Sequence, residues 1–255
     1  MSSEKTLAIV VRVVEFSETS CIVTLFTRDF GKIGALAKGA RRPKSPFESA
    51  LDLLAVCRIV FLHKSSESLD LLTEAKLERR FRAATRDLSR LYAGYYVAEL
   101  LRDLTHGGDP YPALYDAADA TLLELEGELE VQRIVLRFEM LALSILGHLP
   151  ALHGCAACGQ AVGLKGRVLF GQLAGGLLCQ RCRAGQRQVV SVTAEAIETL
   201  QLFAATGTDQ WRDVEIAART RGEIRGLLGQ YLSNLLDHRP RMHDYLGSLS
   251  GGAGR

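Results

Sequence analysis

The chain has 255 residues, of which 47% are hydrophobic and 24% charged, and its six cysteines are too few for a disulfide scaffold. It has no run of about eighteen apolar residues and no secretory signal at its N-terminus, which predicts a cytoplasmic protein without a membrane span. The net charge of +2 divides into basic ends, residues 1–86 and 151–255, and an acidic middle; this favours a polyanion-binding surface, with uneven solvated charge as the alternative.

Residues 1–79 have the pattern of a small β domain, because short runs of β-branched and apolar residues alternate with turn signals. Five strands are predicted, at Leu7–Val14, Cys21–Thr27, Ile33–Ala37, Leu54–Leu62 and Ser68–Ala75. Five short strands in this length favour an OB-fold barrel, with an SH3-like barrel as the alternative. Cys21 and Cys57 are predicted to pack in its core. The aromatic residues fit a core or a stacking platform equally well: Phe16, Phe26, Phe30, Phe47 and Phe61.

The apolar period changes to that of an α-helix after Glu78. Helices are predicted around Leu88–Leu100 and at Pro112–Leu125, Val131–Leu146, Thr193–Ala205 and Thr220–Leu236. The fold class is therefore α+β. The predicted domain organisation is an OB-fold at 1–79, a helical domain in two parts at 80–150 and 190–246, an insertion at 151–189 and a disordered tail at 247–255.

The sharpest motif is a pair of Cys-x2-Cys knuckles, at Cys155/Cys158 and Cys179/Cys182, with a hairpin predicted between Lys165 and Leu178. Two knuckles of this kind supply the closed tetrahedral shell of thiolates that Zn²⁺ prefers in structural sites. The spacing predicts one structural zinc ion in a ribbon. Four buried or redox-active cysteines are the alternative.

A basic stretch lies between the third and fourth predicted strands. From Arg28 to Lys44 the chain carries six basic residues and one acidic residue. A connection that contains Gly39 and Pro43 cannot bury these charges, so we expect them to project from a loop and to follow a phosphate backbone. The candidate DNA contacts are Lys38, Arg41, Arg42 and Lys44. A second candidate cluster lies where the barrel joins the first helix: Arg79, Arg80, Arg82 and Arg86. For both clusters a solvated surface is the alternative.

The sequence contains none of three widespread catalytic motifs. It has no phosphate-binding Gly-x-x-x-x-Gly-Lys-Ser/Thr loop, no His-Glu-x-x-His pair and no Gly-x-Ser-x-Gly elbow. An acidic run at Glu124, Glu126, Glu128 and Glu130 is predicted to be a solvated turn rather than a metal cluster. We therefore predict that the protein is not an enzyme.

Several further stretches, taken with the four cysteines and in this order along the chain, resemble the RecO family of bacterial recombination mediators. They cover residues 7 to 246: Ser17–Ser20, Phe26–Gly31, Ala37–Arg41, Tyr92–Leu101, Arg137–Leu143 and the last helix, which ends near His238. The resemblance implies an N-terminal OB-fold, a helical domain and a zinc ribbon. It also implies DNA repair and recombination in the bacterial cytoplasm, in association with the nucleoid.

The same resemblance implies particular activities and partners. Proteins of this kind bind single- and double-stranded DNA without sequence preference, anneal complementary strands, and act with RecR and the single-stranded-DNA-binding protein SSB to load RecA. The motif match carries Lys38 and Arg41 over as DNA contacts, while Arg42 and Lys44 are added on charge alone. The helical domain is implied to bind the acidic tail of SSB, with Arg221 and Arg225 as candidates by charge only.

Two other classes of protein remain open from the residues alone. One is a zinc-ribbon transcription factor or RNA-binding factor, which would share the barrel and the basic loop. The other is a metal-dependent nuclease, which would need a carboxylate cluster that the sequence does not clearly supply.

Overall fold

The computed structural model describes residues 2–43, 45–47, 50–63, 68–83, 87–243 and 245. Two candidate DNA contacts, Lys44 and Arg86, and the predicted tail at 247–255 lie outside the described residues. The chain folds as two compact units, one built on Met1–Val131 and the other on Gln132–His243. No helix in the described part of the chain combines the length and the apolar character that a membrane span requires. The five-segment domain organisation stays a prediction.

A closed barrel of five strands forms the first part of the first unit, as the sequence predicts. Its strands are β1 (Ser2–Glu15), β2 (Cys21–Thr27), β3 (Gly31–Ala37), β4 (Val56–His63) and β5 (Asp70–Arg79). They are joined in the order β1-β2-β3-β5-β4, and β4 closes the barrel against β1. The pair β3–β5 is parallel and the other pairs are antiparallel.

Strand β1 begins at Ser2, earlier than predicted, because its first residues are held by backbone pairing with β4 and not marked by an apolar pattern. Residues 2–9 pair with β4 and residues 8–15 pair with β2. A register shift between Val10 and Arg12 lets one strand serve both neighbours. The polar start Ser2–Lys5 carries no apolar alternation, so its place in the sheet depends on β4.

The barrel core is filled by the inward residues of alternating strands. In β3 every second residue is buried, from Gly31 to Ala37. Cys21 and Cys57 lie in this core, which confirms the sequence prediction, and burial raises the pKa of the Cys57 thiol to about 12. Three of the five phenylalanines are buried, namely Phe26, Phe47 and Phe61. Phe30 packs edge-on against Phe61, with ring centroids 5.4 Å apart.

Two helices complete the described secondary structure of the first unit, α1 (Leu88–Leu104) and α2 (Pro112–Glu124). Strand β5 continues to Arg79, so the change to helix comes later than the period suggests. Helix α1 starts after Asp87, whose carboxylate accepts a hydrogen bond from the Ser89 backbone N–H at 2.9 Å. At Gly94 the helix lies so close to the barrel side that a Cβ atom would stand 2.7 Å from Leu54 and 2.9 Å from Phe81.

The second unit combines three helices with a small antiparallel sheet. The helices are α3 (Val131–Ile145), α4 (Ala194–Ala204) and α5 (Ala218–Leu236), and the strands are β6 (Arg167–Gly171), β7 (Gly176–Leu178) and β8 (Val189–Thr193). The sheet order is β7-β6-β8. The hairpin predicted between Lys165 and Leu178 corresponds to β6 and β7. Strand β8 was not predicted, because its five residues are mostly surface-facing and find their partner β6 about twenty residues earlier.

Candidate metal centre and nucleic-acid interface

The four cysteines of the double knuckle converge at one point of the second unit. Their Sγ atoms all lie within 4.8 Å of one another, and those of Cys158 and Cys179 are 3.9 Å apart. Four sulfurs around a tetrahedral ion at about 2.3 Å would be separated by about 3.8 Å. Cys155 is buried and Cys158 is exposed, so the group lies at the surface of the unit with one side covered. The spacing and the donor type fit a metal ion of tetrahedral preference.

Backbone hydrogen bonds hold the first knuckle in place. The Gly159 N–H donates to the Cys155 carbonyl at 2.8 Å, which closes the turn between the two cysteines. The Ala156 N–H donates to the Leu177 carbonyl of β7 at 2.7 Å. Cys179 follows β7 directly, so this strand brings the second knuckle beside the first.

The electrostatics of the cluster favour a bound cation. Backbone N–H groups, first that of Cys179 and then those of Ala157 and Cys158, lower the pKa of Cys155 to about 6. Hydrogen bonds with the sulfurs of Cys158 and then Cys179 raise the pKa of Cys182 to about 12, because they stabilise its protonated thiol. A bound divalent ion would favour the thiolate form of all four cysteines.

The basic turn that follows β3, residues 38–43, is exposed on the barrel. Lys38, Arg41 and Arg42 are all exposed. The turn is fixed at both ends of its central segment, since the Gly39 N–H donates to Ser20 Oγ at 3.2 Å and the Arg41 N–H donates to the Thr19 carbonyl at 3.0 Å. The two stretches Ser17–Ser20 and Ala37–Arg41 are therefore neighbours at one end of the barrel.

Arg41 has a carboxylate partner that leaves it accessible. Its guanidinium lies 2.9 Å from Glu15, and the two side chains are 50% and 76% exposed. An ion pair at this exposure contributes little to stability, so a phosphate can replace the carboxylate at small cost.

Two basic residues of the same stretch contact helices of the first unit, and for Lys32 the prediction that the charge projects from a loop was wrong. Lys32 lies in β3 and its Nζ donates to the carbonyls of Arg102 and Thr105 at the end of α1. Arg28 forms an ion pair with Asp116 of α2 at 2.9 Å. Lys32 therefore stabilises the end of α1, whereas the Arg28–Asp116 pair is exposed, with side chains 42% and 54% exposed.

The arginines that follow the barrel differ in their exposure and in their contacts. Arg79 ends β5, is 23% exposed in its side chain, and pairs with Asp119 and, at 3.9 Å, with Glu126. Arg80 and Arg82 are exposed. Glu126, which lies in a turn as predicted, also accepts a hydrogen bond from the Arg82 backbone N–H at 3.0 Å and so has a structural contact.

In the second unit the predicted basic candidates serve internal contacts. Arg225 of α5 forms a two-pronged pair with Glu139 of α3, whose side chain is fully buried. Arg221 donates to the Ile216 carbonyl at 3.2 Å. Arg137 donates to the carbonyls of Phe203 and Ala205. The stretch Arg137–Leu143 therefore ties helices together.

Sequence reasoning left one surface residue undecided that the structure singles out. Phe16, at the end of β1, is 62% exposed, whereas Phe26, Phe47 and Phe61 are buried. The sequence signal that could have found it is its position directly before the polar connection Ser17–Ser20.

Comparison with known proteins gives a family for the whole chain. The model named "Recombination protein O N terminal" matches residues 1–81, and the model named "Recombination protein O C terminal" matches residues 85–244. The DNA repair protein RecO of Rhodopirellula baltica is 41% identical over 263 aligned positions, which cover 94% of this chain and 97% of that protein. The RecO proteins of Moorella thermoacetica and Anaeromyxobacter dehalogenans (strain 2CP-C) are 30% and 31% identical, and the alignments cover 95% and 99% of this chain and 90% and 100% of theirs. With matches over nearly its entire length, the chain belongs to the RecO family of DNA repair proteins.

Proposed function

We propose that this protein is a recombination mediator that binds single- and double-stranded DNA without sequence preference and anneals complementary strands. The observation that carries the proposal is the exposed basic turn of the barrel, in a chain of the RecO family. Annealing requires that two phosphate backbones approach each other, and Lys and Arg relieve the repulsion by displacing counterions. The process needs no covalent chemistry, so we propose no enzymatic activity.

We propose that the barrel is an OB-fold. Its strand order β1-β2-β3-β5-β4, with β4 paired to β1 and β3 parallel to β5, supports this assignment. OB-folds bind oligonucleotides on a strand face and adjoining loops, which suits a protein that must not read sequence.

The proposed DNA contacts on the barrel are Lys38, Arg41, Arg42 and Lys44. For the first three the supporting observation is exposure on one fixed turn. Arg80, Arg82 and Arg86 are proposed as further DNA contacts. Arg79 is left out, because its guanidinium is already neutralised by Asp119 and Glu126.

We propose that the four cysteines hold one structural Zn²⁺ in a zinc ribbon. Cys155, Cys158, Cys179 and Cys182 would bind the ion, and the ion would supply a fixed junction between the two knuckles rather than a reactive centre. A shell filled by four protein ligands leaves no position for a water molecule.

The proposed partners are DNA, RecR, SSB and, indirectly, RecA, at the nucleoid in the bacterial cytoplasm. They follow from family membership. For the SSB tail we no longer propose Arg225, because its charge is satisfied by the buried carboxylate of Glu139. Arg221 is likewise turned to a backbone carbonyl.

The decisive experiment mixes the purified protein with two complementary strands coated by SSB, without ATP, and follows duplex formation by fluorescence. We expect annealing well above that of the coated strands alone. A strong preference for RNA or for one sequence in competition would instead favour the transcription or RNA-binding class. Magnesium-dependent shortening of the strands would favour a nuclease, although among the described residues the four cysteines are the single His, Cys, Asp or Glu group with metal-site geometry.

A further inference from the structure

The last residues of β1, from Arg12 onward, are exposed beyond the reach of β4. The pairing of β1 with β4 ends at Ile9, whereas its pairing with β2 continues to Glu15. All residues from Arg12 to Phe16 are exposed, including two valines at 40% each and Phe16 at 62%. This segment therefore presents Val13, Val14 and Phe16 to solvent beside the charged side chains of Arg12 and Glu15.

An apolar row crosses the outer surface of the barrel from this segment. Val14 is paired with Ile22 of β2, Ile22 with Leu36 of β3, and Leu36 with Leu71 of β5. Directly paired residues share one face of a sheet. The neighbours of Ile22, Leu36 and Leu71 in sequence include Cys21, Val23, Ala35, Ala37 and Leu72, which are buried in the core. The row, whose members are all partly or largely exposed, therefore faces outward.

Phe16 lies at the same end of the barrel as the basic turn. Its backbone N–H donates to the Ser20 carbonyl at 3.1 Å, and the Ser20 Oγ accepts from Gly39 of the basic turn at 3.2 Å. Arg41 in that turn pairs with Glu15, the residue before Phe16. A large exposed aromatic ring, an apolar row and three exposed cations thus adjoin one another.

We propose that Phe16 stacks on an unpaired base of single-stranded DNA, with the Val14–Leu71 row beneath the neighbouring bases and the basic turn on the phosphates. The inference rests on the proposed DNA-binding function and assigns its base-contacting part. Aromatic stacking is tolerant of sequence because every base has a π-face, and in a duplex that face is covered by neighbouring base pairs. Phe16 accordingly makes the barrel favour unpaired over paired DNA, which leaves the bases oriented for a complementary strand. Combined apolar and cationic character fits a nucleotide better than an apolar peptide.

The test uses strands that differ only in their bases. The affinity of the full chain is measured for a labelled oligothymidylate, for a strand of equal length made of abasic deoxyribose phosphates, and for a duplex. Wild type is expected to bind oligothymidylate more tightly than the abasic strand. Phe16→Ala should weaken oligothymidylate binding by about fivefold or more and leave the abasic strand and the duplex nearly unchanged. Phe16→Trp should restore the preference.

Two further variants distinguish a loss of stacking from a loss of the phosphate contacts of the basic turn and from a change in folding. Leu173→Ala removes an apolar side chain that is 56% exposed in the second unit and should change no affinity. Arg41→Ala with Arg42→Ala should weaken abasic and normal strands alike; if it does not, the proposed DNA surface fails independently of Phe16. If Phe16→Ala, with wild-type thermal stability, keeps the wild-type ratio of oligothymidylate to abasic affinity, the stacking proposal is overturned.

Discussion

Arg41 and Arg42 lie in an exposed turn that backbone hydrogen bonds hold in place. Arg41 pairs with Glu15, whose side chain is 76% exposed, whereas the carboxylate partners of Arg28, Arg58 and Arg79 are 54%, 37% and 33% exposed. An exposed cation contributes little to folding, so its removal separates binding from stability.

Replacing Arg41 and Arg42 together by alanine should therefore weaken DNA binding by a similar factor for unrelated sequences. Each lost phosphate contact lowers the slope of log affinity against log salt by roughly 0.7–0.9, so a decrease of about one to two is expected. Titrations at several salt concentrations measure it. Arg58→Ala, an exposed and carboxylate-paired arginine of β4, is the matched control and should retain the wild-type slope. An unchanged affinity and slope in the double variant would make the turn ordinary solvated surface.

The carboxylate of Glu223, in α5, accepts hydrogen bonds that stabilise the second unit. It accepts from the N–H and Oγ1 of Thr193, each at 2.8 Å, and from Arg167 at 2.8 Å. The Thr193 N–H, together with its hydroxyl and Arg167, lowers the pKa of Glu223 to about 2. The residue thereby connects α5 to β6 and to the start of α4.

Because the folded pKa of Glu223 lies below its unfolded value of about 4.3, its contribution is complete above that value and is lost as the pH falls towards 2. We expect Glu223→Gln to lower the free energy of unfolding by about 1–2 kcal/mol at pH 7 and by much less near pH 3. Urea unfolding followed by the fluorescence of Trp211, the one tryptophan in the chain and a buried residue of the second unit, measures it. Equal effects at the two pH values would show that the charge of Glu223 is not the stabilising feature.

At the scale of elements, two close approaches position the helices and turns of the first unit. Gly31 opens β3 at φ +64°, and a Cβ there would lie 2.0 Å from the Asp109 carbonyl oxygen. A Cβ at Gly94 would likewise lie 2.7 Å from the Leu54 side chain and 2.9 Å from the Phe81 side chain. Both glycines belong to stretches that carry the family resemblance. The structure explains why each is a glycine, because a side chain there would lie too close to neighbouring atoms.

Gly94→Ala should destabilise the first unit by about 1–3 kcal/mol, because the added methyl group overlaps the Leu54 and Phe81 side chains and the helix must shift. Gly222→Ala is the matched control, since it makes the same change in α5 where nothing lies within 4 Å. That control should stabilise its helix by up to about 1 kcal/mol. Chemical unfolding with hydrogen exchange assigns each effect to its element. A neutral Gly94→Ala would mean that α1 is not fixed against these side chains.

At the scale of the whole molecule, the metal centre and the basic turn lie in different units. The cysteines belong to the unit Gln132–His243, and the turn belongs to the unit Met1–Val131. The two features therefore depend on different sets of packing contacts.

We expect about one zinc per chain in protein purified without added metal, and its removal by a chelator, or Cys155→Ser with Cys179→Ser, should loosen residues 151–189 and the adjoining helices. The affinity for DNA should remain within about twofold of wild type, since the barrel does not need the ion to fold. Elemental analysis, hydrogen exchange and a binding titration on one sample measure the three effects. Four freely titrating thiols in fresh protein without metal would contradict the zinc assignment, and a large loss of affinity would contradict the independence of the barrel.

Local patterns along the sequence were sufficient to identify most elements. The β-branched and apolar run Cys21–Thr27 and the helical pattern of Val131–Leu146 predict β2 and α3 to within one residue of their ends. The doubled Cys-x2-Cys spacing likewise predicts a group of four sulfurs, because each knuckle is a local turn and a short hairpin joins the two. These features depend on neighbouring residues, so one sequence determines them.

Only the tertiary structure shows which basic side chains are available to bind a ligand. Lys32, Arg28 and Arg79 are indistinguishable in the sequence from Lys38, Arg41 and Arg42, yet the first three pair with groups of α1 or α2 that lie far away in the chain. The same holds for Arg225, whose partner Glu139 is on another helix, and for the exposure of Phe16, which is 62% exposed where Phe26 is buried. A side chain's partner and exposure depend on packing between distant segments, and no local pattern encodes them.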